Sequence, residues 1–264
     1  MKTKLMLLTA ALGLAAVSGR AQISITALNN PYTENFDGLI NTGSGTYVDN
    51  TTIAGWTVNS EEMDSNSDEY FAADGSSNGG EVYSFGTGTN TDRALGYIGS
   101  GGNDFFNAAV TLTNDTGSAI DEITISYVGE QWRSGGNTSD NQNILAFSYQ
   151  TGTSISIPAS TNLTGWTAVN SLDFAAPQVN VAAGALDGNL AANQTSFTNI
   201  SISGLSWAAG EDLVLRWTGN NGGGTDAGLG IDDLSVTAVP EPSTVVLVAL
   251  TSLAAFGILR RRQK

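Results

Sequence analysis

The chain contains no cysteine and no histidine. Without thiols there are no disulfides, no thiolate nucleophile and no cysteine-held metal. Without imidazole there is no Ser-His-Asp triad, no histidine-held zinc and no histidine general base. Lysine is missing from the stretch between Gln22 and Val239, where the only cations are Arg93, Arg133 and Arg216. The other basic residues sit in the two ends, and nearly all of the 25 Asp and Glu lie between them. That stretch is therefore more acidic than the whole-chain net charge of −15. Such a charge disfavours DNA, RNA and anionic membrane surfaces, and leaves divalent cations, neutral glycans or plain solubility. Acidity without a core would mean disorder, but five Trp, nine Phe and frequent Ile, Leu and Val supply one.

The two ends are unlike the middle. Lys2 and Lys4 precede an apolar run from Leu5 to Val17, and Gly19-Arg20-Ala21 offers a small-x-small cleavage site before Gln22. This predicts a secretory signal peptide over residues 1–21. At the far end, residues 239–242 form a spacer holding Pro240, Glu241 and Pro242. The two prolines cannot continue a strand ladder, so the folded body, residues 22–238, stops there. Residues 243–259 carry no charge. As a helix they reach roughly 25 Å, the short end of what crosses a bilayer, which predicts a transmembrane helix. The tail at 260–264 is basic and stays cytoplasmic by the positive-inside tendency.

This three-part tail resembles the PEP-CTERM sorting signal of exported bacterial proteins. Pro240, Glu241 and Pro242 match its Pro-Glu-Pro, and Arg260, Arg261 and Arg262 match its closing arginines. The resemblance implies export through the inner membrane of a Gram-negative cell and transient anchoring by the C-terminal helix. It also implies handling by an exosortase-type membrane peptidase, then a place at the cell surface or in the extracellular matrix, alongside exopolysaccharide.

In the body, Gly, Asn, Ser and Thr punctuate short segments that alternate apolar and polar residues. Ile123 to Tyr127, Leu145 to Tyr149, Ile200 to Ile202 and Leu213 to Trp217 show the period-2 pattern of half-buried strands. Ile23 to Leu28, Ile53 to Val58, Val82 to Phe85, Ala94 to Ile98 and Val110 to Leu112 are further candidates. No amphipathic helix of three turns is visible outside the ends. Many short strands at this spacing predict one all-β domain, a two-sheet antiparallel jelly-roll sandwich. A β-helix is the alternative, but no fixed-period repeat supports it. Asn114-Asp115-Thr116-Gly117 reads as a hairpin turn.

In the last strand Leu229, Ile231 and Asp233 share one phase, and Leu234 and Val236 the other. A phase slip of this kind marks a β-bulge, here at Asp232-Asp233. The opening Tyr32-Thr33-Glu34-Asn35-Phe36-Asp37-Gly38, the Gly55-Trp56 pair and the closing strand from Gly230 to Val236 together look like the concanavalin-like jelly roll of MAM-type and carbohydrate-binding modules. MAM modules carry cysteines and this chain has none, so the resemblance extends to the fold and not to that family. It implies that first and last strands lie together. Glu34, Asp37, Asp232 and Asp233 would then converge, an oxygen-rich set suited to structural Ca²⁺. Solvated strand ends are the plainer reading of the same acids. Asp64-Ser65-Asn66-Ser67-Asp68 has calcium-loop spacing but lacks the glycine and the closing glutamate of an EF-hand.

Glu130-Gln131-Trp132-Arg133 resembles a segment recurring in proteins with this tail. Arg133 is expected to pair with a carboxylate such as Glu130 and to stack on Trp132; alternatively Trp132 and Arg133 form a sugar-stacking site. The other tryptophans read as core, with one available as a glycan platform. Three functions remain: a non-catalytic envelope or matrix protein that binds glycans or surface partners, a purely structural or adhesive matrix protein, and a glycoside-active enzyme on two carboxylates. Glu130 is the first candidate acid for the last, without a partner at a defensible spacing.

Overall fold

Apolar residues alternating with Ser, Thr and Asn give strands with one face for a core and one for water. The computed structural model describes residues 22–66, 68–136 and 143–240. The expected signal peptide and membrane helix lie outside them. Among the described residues no helix is long and apolar enough to cross a membrane.

The strands in chain order are β1 (Ile23–Ile25), β2 (Tyr32–Glu34), β3 (Ser44–Thr46), β4 (Trp56–Ser60), β5 (Glu69–Ala73), β6 (Val82–Phe85), β7 (Ala94–Ile98) and β8 (Phe105–Asn114). There follow β9 (Ile120–Ser134), β10 (Ile144–Gly152), β11 (Thr167–Ala168), β12 (Phe174–Ala175), β13 (Gly184–Ala185), β14 (Gln194–Trp207), β15 (Asp212–Asn220) and β16 (Gly228–Val239). One short helix, α1 (Glu61–Asn66), covers the first part of the expected calcium-loop spacing.

The strands form two sheets. The seven-stranded sheet runs β1-β8-β15-β10-β11, with β4 on β8 and β12 on β10. The nine-stranded sheet runs β13-β9-β16-β7-β6-β5-β3, with β14 on β9 and β2 on β16. Nine of the fifteen connections between these strands change sheet, as in a jelly-roll sandwich. Two features differ from the sequence reading. The pairs β1–β8 and β5–β6 are parallel, so the sandwich is not wholly antiparallel. The Asn114 turn is no hairpin, because it joins β8 of one sheet to β9 of the other. Buried Asn114 makes that crossing, its amide donating to Ser118 O at 2.8 Å and to Trp207 O at 3.0 Å.

Between the sheets the core is aromatic. Trp217 lies 5.9 Å from Trp56 in a stacked pair and meets Tyr127 and Phe147 edge-on at 5.5 and 5.1 Å. Leu213, Leu215 and Trp217 point into this core, so alternation turns Val214, Arg216 and Thr218 to the opposite face of the seven-stranded sheet. That opposite face is crossed by residues 153–166, which carry no regular structure. Ile155 and Trp166 from this strap pack on Ala109 and Val214 of the sheet beneath.

Candidate functional site

The first and last strands do lie together, β2 against β16 with Glu34 opposite Leu234. The bulge is present as well: pairing between β16 and β9 shifts between Asp232 and Ser235, and Asp233 has φ +50°. The four expected metal ligands nevertheless divide. Glu34 and Asp233 line one recess of about 330 Å³ with Thr33, Asn35, Leu234 and Ser235. Glu34 Oε1 accepts from Phe36 N at 2.8 Å, and Asp37 Oδ2 from Asn35 Nδ2 at 2.7 Å. Asp232 is buried and does not line that recess, and the charges of Glu130, Asp233 and Asp92 act on it. Among the described residues no three acids gather as a metal set. Asp232 is buried and Asp233 exposed, so the four residues expected to hold Ca²⁺ do not stand as one cluster among the described residues.

The Glu130–Arg133 segment is arranged differently from its expected pairing. Trp132 is 1% exposed, stacked 6.1 Å from Phe85 and roofed by Gly188, where a Cβ would stand 2.3 Å from the indole. It offers no face to a sugar. Its Nε1 donates to Glu130 Oε2 at 2.9 Å, and Gln194 Nε2 donates to Glu130 Oε1 at 3.0 Å. Arg133 donates instead to the carbonyls of Gly75 and Ser76, at 3.0 and 3.2 Å, and so fastens the β5–β6 connection. Burial pushes the Glu130 carboxyl up to about 7 and that of Asp232 up to about 8. Glu130 thus has the second carboxylate that the sequence did not reveal. Both groups are buried, at 2% and 5% exposure, and both Glu130 oxygens are already engaged.

The recess with ligand-binding chemistry is elsewhere, on the outer face of the seven-stranded sheet. It measures about 360 Å³ and is lined by Gln150, Gly152, Thr153, Ser154, Ile155, Ser156, Pro158, Asn162, Thr164 and Trp166. A second recess of about 330 Å³ lies across Ser154–Ile157, bounded by Asp49, Asn50, Thr57 and Asn59. Four of the five tryptophans are 0–1% exposed, whereas Trp166 is 9% exposed and lines the first recess. Arg216 is fully buried under the strap, with its Cζ 4.0 Å from the centre of the Trp166 ring. Its Nε donates to Ser148 Oγ at 3.2 Å and its Nη2 to Asn162 O at 3.1 Å. The first recess presents amides, hydroxyls and one indole, and no charged side chain. Such a lining hydrogen-bonds and stacks, but it holds no general acid, base or nucleophile of the carboxylate, thiol or imidazole kind. Sequence reasoning passed over it because its residues come from an irregular segment. The available signal was Arg216, a lone cation whose strand alternation put it opposite Leu215 and Trp217.

The C-terminal end has its own geometry. β16 is held by β9 as far as Val239, which pairs with Glu122, and Pro240 follows exposed. Residues 238–263 match the PEP-CTERM protein-sorting motif. The chain carries that sorting signal. The motif's first two residues, Ala238 and Val239, are also the last two of β16. Glu241, Pro242 and Arg260 to Arg262 lie outside the described residues. No curated protein matches the chain in sequence. Among solved structures, TmCBM61 in complex with β-1,4-galactotriose is similar over 78% of this chain and 99% of its own, at 9% identity and a TM-score of 0.33. The CBM22-1 xylan-binding domain of Paenibacillus barcinonensis Xyn10C is similar over 79% and 93%, at 13% identity and 0.33. The K3 cleaved adhesin domain of Lys-gingipain from Porphyromonas gingivalis is similar over 74% and 99%, at 14% identity and 0.37. These likenesses concern the sandwich shape and go no further.

Proposed function

We propose that this protein is an exported, non-catalytic carbohydrate-binding module. Its sorting motif delivers it to the cell envelope through an exosortase-type peptidase, and a polysaccharide chain lies in the Trp166 cleft. The observation that carries this reading is the lining of that cleft: one indole among Gln150, Asn162, Thr153, Ser154, Ser156 and Thr164. Sugars present a flat C–H face for an aromatic ring and a rim of hydroxyls for amides and alcohols, and this lining matches both. The neighbouring recess across Ser154–Ile157 gives a chain of sugars room to continue. The same lining speaks against hydrolysis, which needs two carboxylates flanking the scissile bond.

Glycan-array binding of the wild type and of Trp166→Ala tests the site. Removing a stacking ring is expected to weaken glycan binding by about tenfold or more. A Trp166→Ala protein that binds as the wild type does places the site elsewhere. A wild type that binds no glycan leaves the structural or adhesive matrix role.

A further inference from the structure

Arg216 is the anomaly of the molecule. It is 0% exposed in a body rich in acids, yet among the described residues its guanidinium meets only neutral groups: Ser148 Oγ, the Asn162 carbonyl and the Trp166 ring. Nη1 has no hydrogen-bond partner among the described residues. Buried Arg93 differs, because the charges of Asp92 and Asp74 partly offset its desolvation. For Arg216 burial is the sole influence, and it lowers the group to about 10. A buried cation without a counter-ion is costly, and one that also lacks a hydrogen-bond acceptor is costlier still.

Two of the three groups that touch Arg216, Asn162 and Trp166, also line the 360 Å³ recess. We propose that the missing counter-ion is the carboxylate of an acidic sugar, so that the Trp166 cleft recognises a uronate-bearing polysaccharide. This rests on the carbohydrate-binding reading of the same cleft. The sugar ring stacks on Trp166, and its carboxylate meets Arg216 where the Asn162 carbonyl now lies over it. Residues 161–165 are exposed and irregular, and shifting Asn162 gives up its bonds with Ser160 and Thr164 and the one from Arg216 that the carboxylate replaces. A guanidinium suits this task because its planar fork takes a carboxylate at two points. The acidic body does not prevent it. No carboxylate lines this recess, Asp49 bounds only the neighbouring one, and charges farther than about 8 Å are screened at physiological salt.

The test is titration of the full-length chain in detergent with three acidic oligosaccharides: oligogalacturonide, oligoalginate and oligoglucuronan. Each is paired with its carboxyl-reduced, neutral twin. At least one acidic member is expected to bind about tenfold or more tightly than its twin. Arg216→Met is expected to erase that preference while leaving neutral binding, and Arg216→Lys to keep part of it. Trp166→Ala is expected to weaken both members of the pair. Equal affinity for acid and twin in all three pairs overturns the proposal without any variant, even if Arg216→Met does not fold. If Trp166→Ala still weakens neutral binding in that case, the carbohydrate-binding reading stands; if it does not, both fall.

Discussion

Glu130 and Asp232 face each other diagonally across β9 and β16, since Glu130 pairs with Gly230 and Asp232 with Val128. Burial is the largest influence on both. For Glu130 the donors Trp132 and Gln194 pull down, and the charges of Asp92 and Asp233 push up. For Asp232 the N–H of Asp233 pulls down, and Glu130, Asp233 and Asp92 push up. Their folded values, about 7 and about 8, stand above ordinary values of 4.5 and 3.8. Between ordinary and raised values the folded state holds protons that the unfolded state has lost, so stability falls as pH rises. The pair's contribution is full below about 4 and gone above about 8. Thermal midpoints are therefore expected to fall from acid to mildly alkaline pH in the wild type. In Asp232→Asn the fall is expected to shrink, by a difference on the order of 1–3 kcal/mol. Asp232→Asn is the cleaner probe, because Glu130 accepts from two donors and a glutamine there keeps only one acceptor oxygen. Parallel pH curves for wild type and variant would remove the carboxylate pair as the cause.

At the scale of the element, β16 shows what a strand must do to serve two neighbours. It pairs with β9 on one side, and on the other with β7 up to Ile231 and with β2 from Leu234. The bulge at Asp232-Asp233 is the handover between them. It keeps Leu229 and Ile231 in the core before the handover, and Leu234 and Val236 after it. Asp233 carries the positive φ that makes the extra residue fit. Asp233→Gly is expected to be neutral or slightly stabilising, and Asp233→Val to cost about 1–3 kcal/mol, because a β-branched residue resists that conformation. Denaturant unfolding of both variants decides; a valine as harmless as the glycine would mean the bulge is not needed. This slip was legible in sequence, since a change of phase is a local signal. So was the alternation of β8, β10 and β15, which puts Arg216 opposite Trp217. Sheet membership was not legible. The Asn114 turn has hairpin residues, but its outcome rests on Asn114 reaching Trp207, which lies far along the chain. The burial of Trp132 was hidden for the same reason, since Gly188 that roofs it comes from another segment.

At the scale of the whole molecule, sandwich and sorting motif meet with almost no chain to spare. Val239 is still bonded in the ladder, and Pro240 is already exposed. Pro240 has no N–H to donate, so the ladder ends there whether or not the chain continues. Among the described residues the ladder that holds β16 is complete by Val239, so sorting and folding are expected to be separable. In cells with a working exosortase-type peptidase, wild-type protein is expected to leave the membrane fraction as a shorter product ending near Pro240–Pro242. That product is expected to melt within about 2 °C of the full-length chain, because the core and both faces of β16 are unchanged. Replacing Pro240, Glu241 and Pro242 with alanine is expected to hold the protein in the membrane fraction at full length. Mass spectrometry of the released product and fractionation of the variant give the answer together. Normal release of the triple-alanine chain would take the processing role away from these three residues. A released product with a markedly lower midpoint would mean that the sandwich depends on the tail it is expected to lose.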